Sequence, residues 1–444
     1  MTRRRDDYVA IGRLGFPILV GQLGMIVTGF FDTKMIGKYA TEALASASFV
    51  NNVFNVAIFA CLGFTYGLTP LVGSLYSRGE YGRIGVLLKN GVLANVLFSL
   101  IISAVMLLVY FNLEYLDQPA ELHCLIRPYF LLYLGGLIPV ALFNVFAQWA
   151  YGINRSSLPM WIILGSNVVN IIGNYLLIGG NFGFPELGLT GAGIATLVSR
   201  LMAFVLLGCV FLYGGRYEKY SNGFRSGKIG GKLLKMITST SLPVSLQMTL
   251  ESGSFTAAAI MAGWLGTLEL ASFQIIVMTG TLGFCVYYSI GSAVSVLVSN
   301  EMGIGNREAM RRVAFSGYHV LLVTATISSL IFVLGGRFII GQFTDDEMVI
   351  SMSSGLLVPL VLYQMGDATQ INFANALRGT AVVKPMMWIA FVSYIVIGIP
   401  ATYVMGLKTS LGIDGIVYSF SVSLFTAAFL FVIYFIRATK LKEL

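Results

Sequence analysis

MIGKYATEALAS at residues 35–46 returns 226 residues later as MAGWLGTLELAS at 261–272. The pairing sets Met35 on Met261, Gly37 on Gly263, Thr41 on Thr267, and Leu44, Ala45 and Ser46 on Leu270, Ala271 and Ser272. The same offset carries Pro17 onto Pro243, Gly79 onto Gly305 and Pro159-Met160 onto Pro385-Met386. After a slip of two residues, GLTG at 188–191 meets GIDG at 412–415. Matched Pro and Gly punctuation is harder to reach by chance than matched apolar letters, because these residues mark fixed backbone conformations. The chain therefore reads as two related halves.

Each half is made of apolar runs long enough to cross a bilayer. Such runs fall near 10–35, 48–76, 87–111, 125–152, 159–179 and 190–214, and again near 236–263, 270–298, 312–335, 351–377, 386–406 and 412–436. A span needs about 20 apolar residues. Of the 444 residues, 57% are hydrophobic and 11% charged, with a mean hydropathy of +0.82. Soluble domains carry about 25% charge, so a soluble fold is excluded. The expected architecture is an all-α polytopic membrane protein of twelve transmembrane helices in two pseudo-symmetric six-helix lobes. Residues 1–215 form the amino-terminal lobe, 216–235 a basic cytoplasmic linker and 236–444 the carboxy-terminal lobe. Six spans per half give both halves the same orientation, related by an axis along the membrane normal. MTRRRDD at the start runs straight into the first span without a cleavage site and reads as a retained cytoplasmic end.

Charge sets the orientation. Arg78, Arg83 and Lys89, Arg155, the stretch 216–235, Arg307, Arg311 and Arg312, Arg378 and Lys384, and Arg437, Lys440 and Lys442 fall on one side. Glu114, Asp117, Glu121, Asp345, Asp346 and Glu347 fall on the other. The positive-inside rule puts the basic side, and both termini, in the cytoplasm of a multi-pass inner (plasma) membrane protein. The net charge of +8 is thus a topology signal and not a nucleic-acid surface.

Metal and nucleophilic chemistry is absent from the pattern. Cys61, Cys124, Cys209 and Cys285 are scattered singly and His123 and His319 stand far apart, with no CxxC or HExxH. No catalytic residue and no resident cofactor are expected, and the chain does not read as an enzyme.

Three carboxylates lie inside apolar spans: Asp32, Glu251 and Asp367. A charge at a helix centre costs about 2.5–3.5 kcal/mol on insertion scales, so such groups face a bundle interior or an aqueous cavity. There a carboxyl can exchange a proton, bind a hard cation through oxygen, or pair with an organic cation. Glu251 sits among Thr249, Ser252, Gly253 and Ser254. Asp367 follows Tyr363 by four positions, so both share one helical face. An aromatic ring beside a carboxylate suits a large cation through cation–π attraction and charge pairing. The alternative for both acids is a hydrogen bond between helices. Asn170 and Asn174 share a face of the fifth span, and with Asp32 they can surround a small ion or simply tie helices together. Thr190 and Thr196 add polar groups near the start of the sixth span. Arg200 lies deeper in that span, with no partner evident from sequence.

GFPILVGQL, FFDTKMIGKYATEALASAS, LESGSFTAAAIMAGWLGTLELASFQI, GNREAMRR and GDATQINFANALRGT, in this order, resemble the multidrug and toxic compound extrusion (MATE) family over nearly the whole chain. The resemblance is to its NorM-like bacterial branch. It implies two six-helix lobes about a central cavity and export of small organic cations in exchange for Na⁺ or H⁺. It also implies a cation-coupling set of Asp32, Asn170, Asn174, Thr196, Glu251 and Asp367, with Glu251, Tyr363 and Asp367 also binding substrate. Na⁺ is implied either at Glu251 and Asp367 or at Asp32, Asn170, Asn174 and Thr196. Membrane lipid as surroundings, no nucleic-acid partner and a monomeric working state complete the expectation. A lipid-linked oligosaccharide flippase of a related two-lobe fold is the alternative, though an anionic headgroup calls for cavity Arg and Lys rather than carboxylates.

Overall fold

The computed structural model describes residues 2–116 and 119–440; Asp117 and Lys442 lie outside the described residues. Ten helices are long and apolar enough to cross a membrane, and the pair Glu347–Gly355 and Leu357–Gly379, bent by 49°, makes an eleventh. The helix Gly231–Leu265 is 35 residues long, but with its Ser, Thr and Glu side chains it is not among these apolar helices. With it the described residues hold twelve helical rods of membrane length, against the twelve apolar spans expected, and up to eleven of them are apolar enough to cross. No strand occurs among the described residues. Backbone groups in a hydrocarbon layer must be paired internally, and a helix does this within one segment.

The amino-terminal six are Thr2–Tyr39, Thr41–Tyr66 continued by Leu68–Ser77, Tyr81–Phe111, His123–Gly135 continued by Leu137–Gly152, Ser157–Ile178 and Gly188–Tyr213. The carboxy-terminal six are Gly231–Leu265, Thr267–Gly303, Arg307–Ile340, the bent pair, Lys384–Lys408 and Ile413–Ala438. These are called the first to twelfth spans. The second and fourth are interrupted at Gly67 and Gly136. The eleventh contains the π-helical segments Phe391–Gly398 and Val404–Lys408 on either side of the turn holding Pro400.

The sequence repeat recurs in the backbone. Gly79 and Gly305 take φ of +74° and +77°, and Gly188 and Gly412 take +54° and +56°. L side chains rarely adopt this left-handed region, which is why both members of each pair are glycine. The turn hydrogen bonds match as well: Glu80 N donates to Leu75 O and Asn306 N to Glu301 O, both at 3.0 Å. Equivalent spans also do equivalent work. The second and eighth have 72% and 61% of their apolar windows buried, whereas the third and ninth have 22% each and present their apolar sides outward.

Two compact units result, Val20–Ser245 and Leu246–Leu444 with Met1–Leu19. Both chain crossings fall two residues past a proline inside a long helix, Pro17 in the first span and Pro243 in the seventh. Proline removes one i to i−4 hydrogen bond and loosens the helix at that point.

In the unit Val20–Ser245, Trp149 is fully buried at the centre of an aromatic hub, with Phe211 at 4.8 Å, Tyr217 at 5.0 Å and Tyr220 at 5.8 Å between ring centroids. Tyr220 lies on the short helix Glu218–Ser226, which packs on the third span. The start of the seventh span belongs here too: Ser245 Oγ donates to Ala60 O at 2.7 Å, and Gly63 leaves room for the Ser245 backbone.

In the other unit the tenth span is almost wholly buried from Tyr363 to Gly379 and packs against the eighth and twelfth. Phe373 stacks its edge on Phe315, Tyr318 and Phe435 at 5.3–5.9 Å. The start of the first span is clamped into this unit. Arg312 Nε donates to Asp7 Oδ2 at 2.7 Å, and the Tyr8 hydroxyl meets His319 Nδ1 at 3.1 Å.

Candidate functional site

The sequence-predicted residues fall into two clusters, one in each unit. In the unit Val20–Ser245, Asn174 Nδ2 donates to Asp32 Oδ1 in a short hydrogen bond and also to Asn170 Oδ1 at 3.3 Å. Asn170 Nδ2 in turn donates to Thr196 Oγ1 at 3.2 Å. Asp32, Asn174, Asn170 and Thr196 thus form one continuous polar row across the first, fifth and sixth spans. The fifth and sixth spans come close enough because Gly173 faces Ala195, where an added Cβ would sit 2.9 Å from the alanine methyl.

Both asparagines are buried, and Asn174 Oδ1 has no hydrogen-bond partner. An unspent buried carbonyl oxygen beside a carboxylate is the donor set a hard cation prefers. Arg200, one turn beyond Thr196, places its guanidinium over the Tyr133 ring at 4.7 Å. That ring is the partner the sequence did not reveal.

In the other unit, Glu251 of the seventh span and Asp367 of the tenth lie within range of each other's charge. Asp367 is 6% exposed, while Glu251 keeps partial access. Two carboxyls in a poorly hydrated site repel each other when both are ionised, and a proton or a bound cation relieves that repulsion. Gln247 Nε2 donates to Glu251 Oε2 at 2.7 Å, one helical turn away. Gln370 and Tyr394 turn polar groups toward the same carboxyl. Tyr394 belongs to the eight-residue π-helical segment Phe391–Gly398.

Tyr363 is buried one turn before Asp367, with its ring 5.9 Å from Phe420. Its hydroxyl rests on Gly280, where any Cβ would overlap it. Gln364 beside it donates from Nε2 to Gly280 O at 3.0 Å, leaving its Oε1 buried without a partner, as is Oε1 of Gln370. Gln247, Gln364, Gln370 and Tyr394 escaped the sequence reading, because an amide or a tyrosine in an apolar span carries no charge signal.

Among the described residues no three His, Cys, Asp or Glu gather as a metal cluster. All four cysteines are free, Cys61 and Cys285 buried and Cys124 and Cys209 exposed.

Comparison with known proteins places the chain in a family. The chain is 28% identical over 434 residues to the probable multidrug resistance protein NorM of Bradyrhizobium diazoefficiens, covering 97% of this chain and 93% of that one. It is 27% identical over 420 residues to the multidrug resistance protein PmpM of Pseudomonas aeruginosa, covering 91% and 85%. Among solved structures, the eukaryotic MATE transporter AtDTX14 superposes with a TM-score of 0.89 at 19% identity, covering 98% of each chain. A MOP superfamily transporter from Pyrococcus furiosus does so at 0.89 and 18%, covering 99% of this chain and 97% of that one. One family model, MatE, matches twice, at residues 17–176 and 243–404, two stretches that begin one repeat length apart at Pro17 and Pro243. With both halves of the repeat recognised by that model, the chain belongs to the MatE family.

Proposed function

We propose that the chain is a cation-coupled antiporter that exports small organic cations by alternating access, with Na⁺ or H⁺ as the coupling ion. It works as a monomer in the inner (plasma) membrane, both termini in the cytoplasm as the basic loops require. The observation that carries this reading is the carboxyl pair of half-buried Glu251 and buried Asp367, with buried Tyr363 one turn before Asp367. The pair holds a cation or a proton, and the ring beside it suits a delocalised organic cation. Asp32, Asn170, Asn174 and Thr196 form a second oxygen-lined row in the other unit. The names of the bacterial relatives, multidrug resistance proteins, support the same substrate class.

Coupling follows from linkage. An ion that weakens drug binding at the shared carboxylates is itself weakened by the drug to the same degree. The ion's concentration gradient drives the drug outward, and each positive charge that enters beyond the charge leaving on the drug adds about 2.3 kcal/mol per 100 mV of membrane potential.

The test uses purified protein in liposomes loaded with a fluorescent organic cation, with a Na⁺ gradient imposed at fixed pH and then a proton gradient at fixed Na⁺. Movement of the dye against its gradient establishes antiport and names the ion. No gradient-dependent movement rejects the antiporter and turns attention to a flippase, assayed by lipid scrambling. Gly280→Ala gives a sharper check on the substrate site, because the new methyl displaces the Tyr363 hydroxyl. Apparent dye affinity is expected to fall about two- to thirtyfold, the range of a displaced cation–π contact of about 0.5–2 kcal/mol. Unchanged affinity would remove Tyr363 from the substrate site.

A further inference from the structure

Arg200 stands in a specific electrostatic position. It lies one helical turn beyond Thr196, so the two share a face of the sixth span. Thr196 is the end member of the hydrogen-bonded row that begins at Asp32. The guanidinium is seated over the Tyr133 ring at 4.7 Å, where the fourth span breaks at Gly136. A Cβ at Gly136 would sit 2.7 Å from Arg200 Nη1 and 3.2 Å from Arg200 Cδ, so the glycine makes the seat. Tyr129 packs on Tyr133 at 4.9 Å and backs the ring on which the guanidinium rests. Arg200 makes no ion pair with Asp32 within 4 Å; it stands one turn past the last member of the row, so its charge acts along the row without touching the carboxylate.

The two clusters therefore differ in charge. The row around Asp32 has one carboxylate and one fixed guanidinium nearby and is close to neutral overall. The Glu251 and Asp367 pair has two carboxyls surrounded by amides and hydroxyls. The buried basic group of that unit's tenth span, Arg378, is three turns from Asp367 and bonds to Asn375 and Ser295.

We propose that Arg200 is a tethered internal cation that occupies the electrostatic place of a monovalent ion beside Asp32, holding the affinity of that row for Na⁺ low and assigning ion uptake to Glu251 and Asp367. The proposal rests on the antiporter reading and deepens it. Arg200 is a selectivity-setting residue that touches neither ion. A guanidinium stays charged throughout the working pH range, so the suppression is permanent. The ring and the glycine seat keep the charge from leaving the site.

The test is binding of radioactive ²²Na⁺ to purified protein carrying Glu251→Gln and Asp367→Asn, so that only the Asp32 row reports. In that background binding is expected to be weak. Adding Arg200→Gln is expected to tighten saturable ²²Na⁺ binding by about tenfold or more, from removal of one nearby like charge. The gain should disappear when Asp32→Asn is added. Arg200→Lys keeps the charge and should leave binding weak. Arg200→Met retains the packing on Tyr133 and supplies the same comparison if the Gln variant does not fold. Unchanged or weaker binding in the neutral variants overturns the proposal, and so does equal tightening in Arg200→Lys. Dye movement by the unmutated protein in liposomes is read separately, so loss of the antiporter reading and loss of this one are distinguishable.

Discussion

In liposomes under an ion gradient, Asp367→Asn is expected to reduce export of an organic cation to the leak rate while the protein still inserts and folds. Asparagine keeps the shape and hydrogen-bonding capacity of the side chain and removes only its ability to carry charge. Asp367 is 6% exposed, so its charge is poorly screened by water and acts strongly on anything bound beside it. Removing one partner of such a desolvated charge pair costs about 2–5 kcal/mol. At 1.4 kcal/mol per tenfold, cation affinity should fall about 30-fold or more.

The remaining acid, Glu251, no longer has a second carboxyl to repel, so it also loses the pressure to exchange a proton for a cation. Two measurements check this: gradient-driven dye movement, and melting temperature in detergent to confirm folding. Export at the unmutated level in a well-folded Asp367→Asn protein would remove this carboxylate from coupling.

Some of this site was legible in the sequence, for a physical reason. A carboxylate in a membrane span is expensive, so Asp32, Glu251 and Asp367 stand out one at a time. Helical spacing then relates residues on one element: Asn170 with Asn174, and Tyr363 with Asp367, are each four apart. The row from Asp32 to Thr196 joins that Asn170 and Asn174 face to two other spans, a grouping that only the family resemblance implied. Contacts between elements were not legible in the same way. Arg200 finds Tyr133 from another span, and Gln370 and Tyr394 approach Glu251 from two others.

The repeat was legible because its Gly79 and Gly305 turns demand the same positive φ. The unit crossings just past Pro17 and Pro243 were not, since where a helix changes neighbours is decided by packing along its whole length. The stretch 216–235 read only as a basic linker. The structure forms the helix Glu218–Ser226 there and begins the seventh span at Gly231, because Tyr220 has a buried place against Trp149 and Tyr81.

That short helix leads to the largest expected effect on stability. Gly223 and Gly85 bring two backbones into direct contact. A Cβ at Gly223 would overlap Gly82 O and lie 2.8 Å from Gly82 C, and one at Gly85 would overlap Tyr220 O and lie 2.8 Å from Gly223 C. The obstructing atoms are main chain and cannot rotate away, so Gly223→Ala must lift the helix from the third span. Lifting it draws Tyr220 from Trp149 and Tyr81, and strains the bonds from Lys89 Nζ to Gly227 O at 2.9 Å and from Arg225 Nη2 to Leu212 O at 2.6 Å. Overpacking costs about 1–3 kcal/mol, and each lost aromatic contact adds about 0.5–1.5 kcal/mol. A loss of about 3 kcal/mol and a fall of about 6–12 °C in melting temperature are expected, at about 2–4 °C per kcal/mol. Gly82→Ala is the matched control: it lies in the same contact region, yet its Cβ would meet nothing within 4 Å. Helix propensity alone then applies, and that variant should be more stable by about 0.5–1 kcal/mol. Thermal unfolding in detergent, followed by the fluorescence of Trp149 and the other tryptophans, separates the two outcomes. Similar melting temperatures for Gly223→Ala and Gly82→Ala would mean that the short helix is not held by this backbone contact, and that the aromatic hub alone docks it.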